Sequence, residues 1–135
     1  MTSTGRGISP ALLRLMSDNK TIMEDPPEVS KLQIFDSDQF LQGASAAPVR
    51  DDNMFVWEAT IFGPEECIWE GGIFHLSLKF PEEYPSKPPK VRFTCNVFHP
   101  NVYPDGSLCL DIIQDKWSPI YNVNTVLISI RVCLF

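Results

Sequence analysis

The chain reads as an α+β domain: an amphipathic helix, an antiparallel meander of strands, a long irregular stretch, and a second helix. Three observations predict this. Apolar residues recur at three- and four-residue spacing over 10–24. They alternate at period two in runs between Phe55 and Cys95. Helical spacing resumes only at Val123. At 135 residues the chain is one domain's worth, enough for folding to bury roughly two thirds of its unfolded surface. With 44% hydrophobic and 21% charged residues it is globular rather than disordered in composition.

Residues 1–8 form a loose leader, polar and lacking the apolar run of a signal peptide. Ser9-Pro10 starts the first helix, because serine caps free backbone N–H groups and proline tolerates the first helical position. Leu12, Leu15, Met16, Asn19, Ile22 and Met23 define its buried stripe. Asp25-Pro26-Pro27 ends it, since proline lacks an N–H and restricts the residue before it. Residues 28–48 show no sustained period. Lys31 to Phe35 is a candidate short strand, and Gly43 to Ala47 reads as a small-residue loop.

The strongest strand signal follows, with Phe55, Trp57, Ala59 and Ile61 on one face, Glu58 and Thr60 on the other, and Gly63-Pro64 closing it. Gly71-Gly72 opens the next, where Phe74, Leu76, Leu78 and Phe80 oppose Ile73, His75, Ser77 and Lys79. His75 should therefore face solvent. Pro81, Pro85, Pro88 and Pro89 stiffen the connection to a third strand, in which Val91, Phe93 and Cys95 alternate with Arg92 and Thr94. Short connections between such strands predict a meander with one buried face. From Phe98 to Tyr121 regularity fails, and a long irregular stretch inside a compact domain is usually functional. Val123, Val126, Leu127 and Ile130 then mark a helix capped by Asn122 or Asn124.

Charge and cysteine usage exclude several functions. The formal net charge is −6, so phosphate-rich partners, nucleic acid or an anionic membrane surface, are disfavoured. No apolar run is long enough to span a bilayer. Cys67, Cys95, Cys109 and Cys133 contain no CxxC spacing, which argues against zinc. They are expected to be reduced thiols in a cytoplasmic or nuclear protein that is not secreted.

Two readings of Cys109 compete. Between Leu108 and Leu110 it could be a small buried hydrophobe. It also follows a Pro-Asp-Gly turn in the irregular region, where a side chain can be presented to solvent. Asn101 lies eight residues upstream, and an amide near a thiol is the kind of donor that stabilises an oxyanion at an acyl carbon. No histidine obviously serves as base, since His99 sits beside Pro100 in a structural position. That disfavours a Cys–His protease and fits thiol–thioester exchange, in which one thiol replaces another. Asp111 either repels the thiolate or bonds loop amides, Asp115 is solvated, and Trp69 packs in the turn before Gly71.

The run from His99 to Ile113, with Trp117-Ser118-Pro119 beyond it, resembles the active-site segment of ubiquitin-conjugating enzymes. So do Trp57 to Pro64, Tyr84-Pro85 with Pro88-Pro89, and Glu24 to Pro27. The resemblance covers roughly 10–27 and 45–130 and is nearest the single-domain catalytic cores. It implies a four-stranded antiparallel meander between the two helices. It also implies that Cys109 accepts ubiquitin as a thioester from the activating enzyme and passes it to a lysine. Asn101 would stabilise the oxyanion, and His99, Pro100, Leu110 and Asp111 would shape the site. No cofactor is implied, because ATP is spent by the activating enzyme. The implied partners are ubiquitin, the activating enzyme, lysine-bearing substrates and ubiquitin ligases. The ligases would meet Arg14, Ser86, Lys87, Pro119 and Ile120, although Arg14 alone also reads as part of a solvated helix face.

The chain departs from the family pattern in three places. Helix 1 carries only Arg14 and Lys20 as basic residues, residues 28–44 form an atypical insertion, and the family's C-terminal helices are missing. Val132, Leu134 and Phe135 would then leave an apolar end suited to a homodimer. Two alternatives stay open: a non-catalytic ubiquitin- or ligase-binding module of the same fold, and a carrier of another ubiquitin-like modifier.

Overall fold

The computed structural model describes residues 8–24, 44–63 and 68–134, with side chains through Val132. The expected strand at 31–35, residues 1–7, Cys67, and the insertion apart from Ala44 lie outside the described residues. Helix α1 (Pro10–Glu24) starts at the expected cap, where Ser9 Oγ accepts the Leu12 N–H at 3.1 Å. Its buried stripe is Ala11, Leu15, Asp18 and Ile22, a run of i, i+4, i+7, i+11. The expected stripe is thus rotated. Met16 and Met23 are exposed, and an acidic residue takes a core position because it finds buried partners there.

Strands β1 (Ala44–Arg50), β2 (Asn53–Phe62), β3 (Ile73–Lys79) and β4 (Lys90–Phe93) form one antiparallel sheet in sequence order. The first corrects the expectation of a loop at Gly43 to Ala47. Ala, Ser and Pro have low strand propensity, so β1 carries no signal of its own. Its register is supplied by β2, with Ala44, Ala46 and Pro48 facing Ile61, Ala59 and Trp57. Pro48 is tolerated because β1 is an edge strand. β4 ends at Phe93 and leaves Cys95 just outside, half-buried. The expected inward faces of β2 and β3 otherwise hold, and His75 is exposed.

Helix α2 (Val123–Leu134) is capped by Asn122, whose Oδ1 accepts the Thr125 N–H at 2.9 Å. Val123, Val126, Leu127 and Ile130 are almost wholly buried, and each contributes about 1.5–3 kcal/mol by leaving water. With Trp57, Ile61, Leu76, Leu78 and Phe93 from the sheet and Leu15 from α1, they form one core. Leu108, Leu110 and Ile113, from the irregular stretch, belong to the same core. That stretch is therefore fastened to the domain and does not hang from it. Val132 is exposed, whereas the side chains of Leu134 and Phe135 lie outside the described residues.

Candidate active site

The irregular stretch contains a short hairpin. Val102 pairs with Leu108, Tyr103 donates its N–H to the Ser107 carbonyl at 2.9 Å, and Cys109 donates its N–H to the Asn101 carbonyl at 2.8 Å. The eight-residue spacing is thus a cross-strand pairing: Asn101 and Cys109 stand opposite one another along the backbone of the hairpin. The chain reverses at Pro104-Asp105-Gly106. Gly106 has φ +92°, and a Cβ there would sit 2.2 Å from the Phe93 carbonyl oxygen. Only glycine meets both conditions. That close approach lets Phe93 N–H bond the Gly106 carbonyl at 2.8 Å, hanging the hairpin on β4.

Local extended geometry settles the two readings of Cys109. Leu110 has φ −138° and ψ 120°, so side chains alternate sides along this segment. Leu108 and Leu110 enter the core, and Cys109 between them is exposed. The buried-hydrophobe reading is overturned because the two leucines claim the inward positions. Asn101 is exposed as well. His99 holds it from behind, with Nδ1 accepting the Asn101 N–H at 3.0 Å. The His99 ring lies 6.1 Å from the Trp69 ring, which also contacts Phe74.

Tyr103 also belongs to this site, a residue that spacing alone did not single out. It stands diagonally across the hairpin from Cys109, within reach of an aromatic side chain. A hydrogen bond to the Cys109 sulfur, and then the sulfur's charge, push its phenol above the ordinary value. At the turn, the Ser107 N–H and Oγ both donate to the Asp105 carboxylate at 2.9 Å. Those bonds hold the Asp105 carboxyl below the ordinary value. Asp111 opens a 3-10 turn (Asp111–Ile113), and its carboxylate faces Lys116 Nζ at 3.6 Å. The loop amides of Gln114 and Lys116 bond its main-chain carbonyl instead. Asp115 is exposed, as expected.

The five residues expected to meet a ligase are drawn together by side chains from distant parts of the chain. Arg14 Nη1 donates to the Pro119 carbonyl at 3.0 Å and Nη2 to the Tyr121 carbonyl at 2.7 Å, while Nε pairs with Asp18 at 3.1 Å. The guanidinium thus turns inward and ties α1 to the 119–121 loop. Asp18, almost fully buried, also accepts the Tyr84 hydroxyl. Burial, and next that hydrogen bond, raise the Tyr84 phenol well above its usual value. Trp117 Nε1 donates to the Pro85 carbonyl at 2.7 Å, joining the loop of Ser86 and Lys87 to that of Pro119 and Ile120. All four of those residues are exposed.

No group of metal-binding side chains occurs among the described residues, and no helix there is long and apolar enough to cross a membrane. A family model described as ubiquitin-conjugating enzyme matches residues 14–135. Ubiquitin-conjugating enzyme E2 1 of Caenorhabditis elegans is 50% identical over 123 residues, covering 91% of this chain and 56% of that protein. Ubiquitin-conjugating enzyme E2 3 of Arabidopsis thaliana is likewise 50% identical over 123 residues, covering 91% of this chain and 72% of that protein. The solved structure of human ubiquitin-conjugating enzyme E2 G1 superposes with a TM-score of 0.76 at 32% identity, over 93% of this chain and 96% of that one. The chain belongs to the ubiquitin-conjugating enzyme family. It has the fold of that family, two helices flanking a four-stranded meander, and spans little more than half the length of the nematode relative.

Proposed function

We propose that this chain is a ubiquitin-conjugating transferase that carries ubiquitin as a thioester on Cys109. The exposed thiol directly opposite Asn101 is the observation that supports this most strongly. In the first step the Cys109 sulfur attacks the thioester carbonyl between ubiquitin and the activating enzyme. A new S–C bond forms, the old one breaks, and the activating enzyme's thiol leaves with the proton. A substrate lysine amine then attacks the Cys109 thioester. An isopeptide bond forms, the S–C bond breaks, and the Cys109 sulfur leaves as the thiol with the proton that the amine gives up. In the tetrahedral state of this second step the Asn101 amide donates to the oxyanion, a contribution of about 3 kcal/mol for a well-placed donor. His99 and Pro100 position Asn101, Leu110 anchors Cys109, and Asp111 shapes the following turn. The exchange uses no bound cofactor, since ATP is consumed by the activating enzyme.

Ligases dock on the exposed loops carrying Ser86, Lys87, Pro119 and Ile120, with Arg14 holding the second loop in place. The cytoplasm or nucleus is the compartment that suits free thiols. Self-association through Val132 and the end of α2 belongs to the same reading, and sedimentation at rising concentration tests it. The decisive experiment incubates the protein with activating enzyme, ATP and ubiquitin. An adduct one ubiquitin heavier and cleaved by thiol is expected, with none in Cys109→Ala. Its absence from the native chain refutes the proposal. Asn101→Ala should still charge but discharge to lysine about a hundredfold more slowly. Charging by another modifier's activating enzyme in place of ubiquitin's would move the chain to that modifier.

A further inference from the structure

A groove of about 810 Å³ opens where β3 and β4 meet the proline-rich connection and the segment after the hairpin. Its floor is apolar, formed by Phe80, Leu108 and Ile113, and its rim carries Lys79, Lys87 and Lys90. Lys79 and Lys90 are directly opposite one another in the β3–β4 register, and both are exposed. Like charges in that position repel and weaken a sheet. No carboxylate among the described residues lies within ion-pair distance of either. The one acid on the rim, Glu83, is engaged with Lys87 at 3.8 Å. Two unmatched cations therefore face each other at the mouth of an apolar groove, in a chain whose net charge is −6.

We infer that this groove binds an acidic segment of the protein substrate, with carboxylates on Lys79 and Lys90 and an apolar side chain on the floor. The inference rests on the transferase reading for the word substrate, and on the groove alone for the binding. Carboxylates between the lysines remove the repulsion that the register builds in. Ser107 and Leu108 line the groove and Cys109 is the next residue, with its side chain on the other side of the strand. A bound segment would have to pass round the hairpin edge to bring its lysine to the thioester. Nucleic acid could supply anions too, but the net charge of −6 opposes a polyanion most, and a protein segment combines a few carboxylates with an aliphatic side chain that suits the apolar floor.

The test uses the uncharged protein and a fluorescent peptide with one lysine set among glutamates and leucines. Binding is expected to weaken with added salt, and about tenfold in Lys79→Gln/Lys90→Gln. The same peptide with glutamine for glutamate should bind no better than the double variant does. Equal binding of the two peptides, an unchanged affinity in the double variant, or tighter binding of a single-stranded oligonucleotide overturns the inference. Thioester formation on Cys109 is measured in parallel and should be unchanged in the double variant. Failure of charging in the native protein strikes the transferase reading. Loss of charge-selective binding with charging intact strikes this inference alone.

Discussion

Two loops of the irregular stretch are built by opposite means. The Asn101–Cys109 hairpin is held by its own backbone, by one glycine and by a short aspartate–serine turn. The Trp117–Tyr121 loop is held by side chains from elsewhere, with Arg14 reaching across more than a hundred residues of sequence. Local hydrogen bonds fix where a thiol points. Long-range ones fix how the 117–121 loop sits relative to a helix. The first arrangement fails when the turn fails, and the second when a remote side chain is removed.

Gly106→Val should have the largest effect, because it strikes the hairpin at a position combining positive φ with backbone contact. We expect a loss of about 3 kcal/mol in urea unfolding and a collapse of thioester formation. Arg14→Ala breaks the other loop. It should cost about 2 kcal/mol, since Asp18 stays buried with one partner fewer. Thioester formation should survive, while Trp117 fluorescence reports a loosened loop. Arg14→Lys should not restore it, because an ammonium cannot span three acceptors as the planar fork does.

Smaller effects sharpen the contrast from the hairpin side. The Tyr103 phenol titrates high because of the Cys109 sulfur, so Cys109→Ala should lower the midpoint of one tyrosine in near-ultraviolet absorbance. The smallest effect concerns Asp105, whose folded value lies below its ordinary 3.8. Its contribution to the turn is complete above that value and is lost as pH falls through the lower folded one. The Ser107 amide resonance should follow that transition, with a midpoint below that of a free aspartate.

The same contrast explains what could be read from sequence. Both helices, the inward faces of β2 and β3, and the spacing of Asn101 to Cys109 follow from short-range patterns. β1 does not, because Ala44, Ala46 and Pro48 take their conformation from β2 and not from propensity. Asp18 does not either. Hydrophobic periodicity places a polar residue outside, and its partners Arg14 and Tyr84 are known only once the chain has folded. Tyr103 escaped notice because its tie to Cys109 depends on hairpin register. Arg14 reads as a free helix-surface charge until the loop it holds is seen.

The leucines on either side of Cys109 also limit movement at the site. By sinking into the core they hold the peptide beneath the sulfur as a fixed post. Any load hung from that atom can swivel only about the side chain's own two bonds. Its reach and its choice of target are therefore set by the load's own tail and by whatever surfaces surround the post.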